Sequence, residues 1–316
     1  MAKIGIDVSY SQGKVDWAKV KKSGVEFVIL RAGYGRKASQ VDATFEANYS
    51  GCKAVGLPVG VYWYSYAEDE EDAVKEAKAC LEVIKGKQFE YPIYFDPERD
   101  FQFNNGKSFV SKISKAFIKT IEDKGYYGGL YTNANWIRNV IDSDLQENYT
   151  VWLAAYTGDL DVKPDYDGQY GMWQFSSKGN IEGIGPHVDL NICYSDYPTK
   201  IKSKGLNGFP KDLKGDANND GKVDVRDAAK IANDLSKGKK LSKQADFNGD
   251  GKVDVRDAAA IARALSKPKN KSIDEIASEV IQGMWGNGSV RKANLIKAGY
   301  DYNAVQEAVN KMIYGG

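Results

Sequence analysis

The sequence predicts an irregular (β/α) barrel followed by two small all-α modules. Three observations lead there. Eight short strand-like runs fill the first 195 or so residues and partly alternate with helical segments. A Lys/Gly/Pro-rich stretch without periodicity, Pro198 to Gly215, then breaks the pattern, and SKPKNKS (266–272) breaks it again. Charge and aromatic content change at the first break. Residues 1–198 carry 22 basic against 28 acidic residues and 17 of the 20 tyrosines, whereas 199–316 carry 22 against 15.

In chain order the strand-like runs are KIGIDVS, FVILRAG, PVGVYWYSYA, YPIYFDPE, YGGLYTN, TVWLAAY, GMWQFS and VDLNICY. Their β-branched and aromatic residues, bounded by Gly, Asn and Pro, suit strands. Between them VDWAKVKKSG, DEEDAVKEAKACLEVIKG, KSFVSKISKAFIKTIEDKG and NANWIRNVIDS have helical composition. Other connections are too short for a crossover helix, hence an irregular barrel. The expected domains are a barrel over 1–198, a linker over 199–211, a helical module over 212–267 and a three-helix module over 268–316.

Composition excludes several chemistries. With 44 basic and 43 acidic residues among 316, net +1, the chain lacks the basic excess of a nucleic-acid binder. No apolar run approaches the roughly 18 residues of a membrane span, so no membrane insertion is expected. The start, MAKIGIDVSYSQ, enters a strand directly and shows no signal-peptide pattern. Three scattered cysteines (Cys52, Cys80, Cys193) and one histidine (His187) make neither a disulfide framework nor a His-based zinc site. Hydrolytic chemistry here would rest on carboxylates, with no cofactor for catalysis.

Acidic residues mark the strand ends, where barrel enzymes gather their chemistry. Asp7 ends KIGID, Asp96 and Glu98 end YPIYFDPE, and Asp189 begins VDLNICY. Residues i and i+2 of an extended chain share a face, so Asp96 and Glu98 point the same way. Such proximity pushes their pKa values apart and keeps one acid protonated near neutrality. Cleavage of a glycosidic bond needs that combination: a proton donor for the leaving oxygen and an anion near the developing oxocarbenium. Tyr62, Tyr64, Tyr131, Trp152, Tyr156 and Trp173 lie on or near the same strand ends and could stack on sugar rings.

These residues carry a resemblance. IGIDVSYSQGKVDW, FVILRAGYG, GLPVGVYWYSYA, YPIYFDPE, GGLYTNANW, VWLAAY, WQFSS and HVDLNIC, in that order, resemble the glycoside hydrolase family 25 muramidases of phage endolysins and bacterial autolysins. The resemblance spans 1–198. It implies hydrolysis of the β-1,4 bond between N-acetylmuramic acid and N-acetylglucosamine in peptidoglycan. Glu98 then matches the general acid/base. Asp96 matches the carboxylate that orients the 2-acetamido group or stabilises the charged intermediate. Asp7 and Asp189 match the flanking acids.

Residues 216–227, DANNDGKVDVRD, recur almost unchanged as 246–257, DFNGDGKVDVRD. Oxygen side chains fall at loop positions 1, 3, 5, 9 and 12 and glycine at position 6, the spacing a calcium loop needs. Candidate ligands are Asp216, Asn218, Asp220, Lys222 (through its carbonyl), Asp224 and Asp227, then Asp246, Asn248, Asp250, Lys252 (likewise), Asp254 and Asp257: two calcium ions. Asp at position 12 and the missing entering helix make the pair resemble a type I dockerin over 212–267. That implies a cohesin partner read by Val225, Arg226, Val255 and Arg256; the competing reading is a calcium-stiffened spacer.

In 271–316, Ser272 and Glu275 form a capping box, and Ile273, Ile276, Ala277, Val280 and Ile281 form one apolar stripe. EIASEVIQGMWGNGSVRKANLIKAGYDYNAVQEAVN resembles the wall-binding repeat of a class of pneumococcal-phage lysozymes, with Trp285, Asn287, Arg291 and Tyr302 as candidate wall contacts. The whole reads as an endolysin-like muramidase made in the host cytoplasm, acting on the bacterial cell wall after release through a holin, or extracellularly. The alternatives are a bacterial autolysin of the same chemistry and a non-catalytic wall-binding or cohesin-linked adaptor.

Overall fold

Strands β1 (Lys3–Val8), β2 (Phe27–Tyr34), β3 (Val59–Tyr64), β4 (Ile93–Asp96), β5 (Gly128–Asn133), β6 (Thr150–Ala154), β7 (Met172–Gly179) and β8 (Val188–Cys193) close into one barrel in sequence order. The structure is a computed structural model describing residues 2–185, 187–211, 213–266 and 271–314. Strands β1 to β7 pair in parallel, whereas β8 runs antiparallel to both β7 and β1. The chain between Gly179 and Val188 is too short for a crossover helix, so β8 must return antiparallel. That reversal brings the start of β8 beside the ends of its neighbours and sets Asp189 opposite Asp7.

Helices α1 (Trp17–Lys22), α2 (Phe45–Ala54), α3 (Glu70–Ile84), α4 (Asp100–Asn104), α5 (Gly106–Glu122), α6 (Ala134–Asn139) and α7 (Ser143–Asn148) lie in the connections. Asp16, Asp69 and Asp142 cap α1, α3 and α7 through side-chain acceptors at the N-terminus. The long α3 and α5 bury Ala73, Ala77, Cys80 and Ile84 and Val110, Ile113, Phe117 and Ile121 in the layer outside the strands. Inside the barrel the filling is aromatic: Phe27, Tyr91, Tyr94, Tyr131 and Trp152. Glycines make the room. A Cβ on Gly5 would stand 2.4 Å from the Phe27 ring, and one on Gly129 would stand 2.7 Å from Tyr94.

The stretch 199–211, expected as a linker, is part of this unit. Helix α8 (Tyr197–Lys204) places Tyr197 and Ile201 in the barrel's interior cluster, where Leu206 and Phe209 also pack. Asn207 is fully buried: its side chain accepts from Tyr127 N–H and donates to the carbonyls of Phe89 and Tyr91. A plug anchored by single residues has no periodicity, so its Lys/Gly/Pro-rich composition resembled a linker. The chain accordingly divides into Met1–Lys222 and Val223–Gly316, beyond the expected break.

In the second unit α9 (Val225–Ser236) and α10 (Val255–Ser266) pack together, burying Ile231 and Ile261. Helices α11 (Ile273–Ile281), α12 (Gly288–Lys297) and α13 (Tyr302–Tyr314) enclose Ile276, Ala277, Val280, Leu295, Val305 and Val309. The Ser272–Glu275 capping box forms. Ile281 stays 48% exposed, so the apolar stripe of α11 is narrower than the sequence pattern. Cys52, Cys80 and Cys193 are free and buried.

Candidate active site

The four acids meet at the carboxyl ends of the strands. Asp7, Asp96, Glu98 and Asp189 line one pocket of about 210 Å3 with Arg31, Tyr62, Tyr64, Tyr131, Trp152, Tyr156 and Gln174. Five of the six aromatic residues expected at the site therefore stand in it. Trp173 does not. It is 1% exposed, donates its indole N–H to the Ala155 carbonyl and packs against Phe175. Its neighbour Gln174 takes the inward position, and alternation along β7 turns Trp173 to the other face.

Burial raises the pKa of every acid in the group, and crowding adds to it at Asp7, Asp96 and Glu98. Asp96 is raised well above the ordinary range by burial first, then by Glu98 and Asp7, with Arg31 opposing. One oxygen of Asp96, Oδ1, is buried without a hydrogen bond among the described residues. Glu98 stands at the solvent-exposed mouth, yet the concave wall desolvates it enough to raise its pKa, and the charge of Asp189 adds to this. Asp189 is pushed up to about 6, mainly by burial. Asp7 is raised by burial and by Asp189, opposed by hydrogen bonds from Asn191 and Gln174.

Those two amides are functional residues that the sequence reading missed. Gln174 Nε2 and Asn191 Nδ2 each donate to Asp7 Oδ2 at 2.8 Å. Their orientations are fixed from behind. Tyr131 and Tyr156 hydroxyls donate to Gln174 Oε1 at 3.0 Å, and the Trp152 indole N–H donates to Asn191 Oδ1 at 2.8 Å. Each amide therefore has only its NH2 group to offer Asp7. Both acceptor positions of Asp7 Oδ2 are thus filled.

Arg31 and Tyr64 also border a second cavity of about 430 Å3, with Tyr10, Tyr34, Asp42 and Tyr66 among its walls. The pocket thus extends into an aromatic groove. An exposed Tyr66 lies under the Arg99 guanidinium, 4.6 Å from the ring centre.

In the second unit the loop 246–257 is wired by its own backbone. Asp246 accepts from Gly249 and Gly251, Asn248 from Asp250, Asp250 from Lys252, and Asp257 from Asn248 and Asp254. The first loop repeats parts of this: Asp216 accepts from Asp220 and Gly221, Asp220 from Lys222, and Asp227 from Asp224. Gly221 and Gly251 have φ of +81° and +83°, the conformation that position 6 requires. No three acidic, cysteine or histidine side chains converge into a ready cage among the described residues. The donor set nevertheless fits a hard cation: Asp257 is fully buried, and its loop supplies oxygen at every ligand position.

Val225 and Val255 are 69% and 66% exposed. Arg226 pairs with Asp224, and Arg256 with Asp250 and Asp254, so both arginines brace candidate ligands. Trp285 is half-buried, its N–H on Glu279 and its ring edge-on to Tyr300; Arg291 donates to the Gly286 carbonyl; Lys292 lies over Tyr302; Asn287 is exposed.

Residues 6–184 match the glycosyl hydrolases family 25, residues 214–276 the dockerin type I domain, and residues 274–313 the CW_7 repeat. The autolytic lysozyme of Clostridium acetobutylicum is 31% identical over 189 residues, 59% of this chain and 54% of its own length. The lysozyme of Streptococcus phage Cp-7 is 55% identical over 42 residues, 13% of this chain and 12% of its own. The modular autolysin LytC of Streptococcus pneumoniae, solved in complex with a synthetic peptidoglycan ligand, aligns with TM-score 0.54 and 30% identity over 61% of this chain and 47% of its own. The chain thus spans about half the length of the autolysins it matches.

Proposed function

The chain belongs to family 25 of the glycosyl hydrolases, and from that premise we propose that it is a muramidase, hydrolysing the β-1,4 bond between N-acetylmuramic acid and N-acetylglucosamine in peptidoglycan. The observation that carries this reading is the convergence of Asp7, Asp96, Glu98 and Asp189 at one end of the barrel. Burial and the charge of Asp189 raise the pKa of Glu98 at the pocket mouth, which favours the protonated form needed to protonate the leaving oxygen. Asp96, buried beneath with Arg31 favouring its anion, faces the positive charge that develops at the sugar, directly or by orienting the 2-acetamido group. Asp7, pinned by Gln174 and Asn191, holds Asp189 in place. Tyr62, Tyr64 and Tyr156 offer ring surface to the glycan.

In the second unit, Asp246, Asn248, Asp250, the Lys252 carbonyl, Asp254 and Asp257 would hold one calcium ion. Calcium supplies structural cross-linking there, not catalysis. The exposed Val225 and Val255 suit a cohesin-type protein partner, and the C-terminal bundle suits wall binding through Asn287 and the half-buried Trp285, Arg291 and Tyr302. A non-catalytic adaptor would have no use for the buried carboxylates, whose ionisation costs stability.

Digestion of purified peptidoglycan, followed by borohydride reduction, should yield muramitol. Reduced glucosamine at the new ends would mean a glucosaminidase instead.

A further inference from the structure

Arg31 stands where the carboxylate pocket and the aromatic groove meet, and its wall position is built rather than incidental. The register of β2 against β3 shifts between Arg31 and Gly33, a bulge of the kind that re-aims a side chain beside a site. Asp42, whose side chain is wholly buried, holds Arg31 Nε at 2.7 Å. The remaining acceptor positions of Asp42 take Tyr10 N–H and the N–H and hydroxyl of Thr44, so the clamp is saturated. The guanidinium lies 4.5 Å above the Tyr10 ring. Its two terminal amino groups make no hydrogen bond among the described residues. The result is a rigid, planar fork with spare donors at the edge of the pocket.

We propose that Arg31 is a specificity residue whose terminal amino groups bind the lactyl carboxyl of the muramic acid sugar. This rests on the muramidase reading. The two sugars of the glycan share the 2-acetamido group; the 3-O-lactyl ether of the muramic acid alone carries a carboxyl. That group matches a guanidinium fork in a bidentate fashion as the acid, and still offers a carbonyl oxygen when amide-linked to a peptide. The competing role for Arg31 is to serve only the charge of Asp96, which would affect every substrate alike.

The test compares kcat/KM of the full chain on a soluble muramic-acid-containing tetrasaccharide and on the same tetrasaccharide with its lactyl carboxyls reduced to alcohols. With Arg31 present, reduction should cost about tenfold, the value of one good charge-assisted contact. In Arg31→Met both substrates should be slower through Asp96, but the ratio between them should fall to near one. Arg31→Lys should recover part of the ratio. A ratio unchanged by Arg31→Met, or a wild-type chain indifferent to reduction, overturns the proposal. A wild-type chain that cleaves neither glycan but acts on another polymer overturns the muramidase reading itself, and this contact with it.

Discussion

In the barrel pocket, Asp7, Asp96, Glu98 and Asp189 crowd together, and all four are raised in pKa by burial, with repulsion from a neighbouring acid adding to it at Asp7, Asp96 and Glu98. In the loop 246–257, Asp246, Asp250, Asp254 and Asp257 are as dense, yet each meets backbone N–H groups or Arg256, and Asp254 is held below the ordinary range by its hydrogen bonds to Arg256. The difference lies in what compensates the charge. A rigid barrel can hold carboxylates in a desolvated pocket, where their pKa values rise and proton transfer near neutrality becomes possible. A loop that folds its own N–H groups and Arg256 onto its carboxylates supplies donors to each of them. Acid residues at similar density therefore meet opposite surroundings, which suit proton transfer in the proposed active site and cation binding in the proposed calcium loop.

The sharpest test of the catalytic half is Glu98→Gln, which removes the transferable proton and little volume. Wall lysis should fall by about 10²–10⁴-fold with the barrel melting as before. Near-normal lysis would move the acid role to another residue of the group. The loops give the converse experiment. Chelation should lower the melting transition of the second unit and increase amide exchange across 223–266, because whatever calcium adds to stability is removed with the ion. The barrel's transition should stay put, its carboxylates needing no cation. Asp257→Ala should reproduce part of the loss without chelator. A barrel that destabilises on chelation would break the contrast between the regions.

The same contrast explains what the sequence made legible. Asp7, Asp96, Glu98 and Asp189 stood out because charged residues at strand ends need a reason, and the duplicated loop stood out because its spacing is imposed by one ion. Gln174, Asn191 and Arg31 did not. Two uncharged amides inside strands look like any polar residue until the register puts them behind Asp7, and the bulge that aims Arg31 leaves no mark beyond Gly33. Trp173 misled for the related reason that an aromatic residue beside a strand end carries no sign of which face it takes. The stretch 199–211 reads as a linker because its anchors, such as Ile201 and Asn207, act singly rather than at a period.

The smallest expected effect concerns the stability cost of holding acids in the pocket. Asp189 titrates near 6 in the folded chain against 3.8 for a free Asp, so the folded state binds its proton more tightly than the unfolded state does. Below about pH 4 both states are protonated and the group is neutral in effect. As pH rises toward and through 6, the folded chain must ionise a partly buried carboxyl beside Asp7, and stability falls; above that the full cost remains. Asp189→Asn removes the cost while keeping the shape. The barrel's Tm should therefore rise by a few degrees at pH 7, at about 2–4 °C per kcal/mol for a unit of this size, and hardly change at pH 4. No comparable gain should follow from Asp254→Asn in the second unit, where the pKa is lowered and ionisation is favoured. An equal Tm change at both pH values in Asp189→Asn would show that the pocket's acids are not held against their own ionisation.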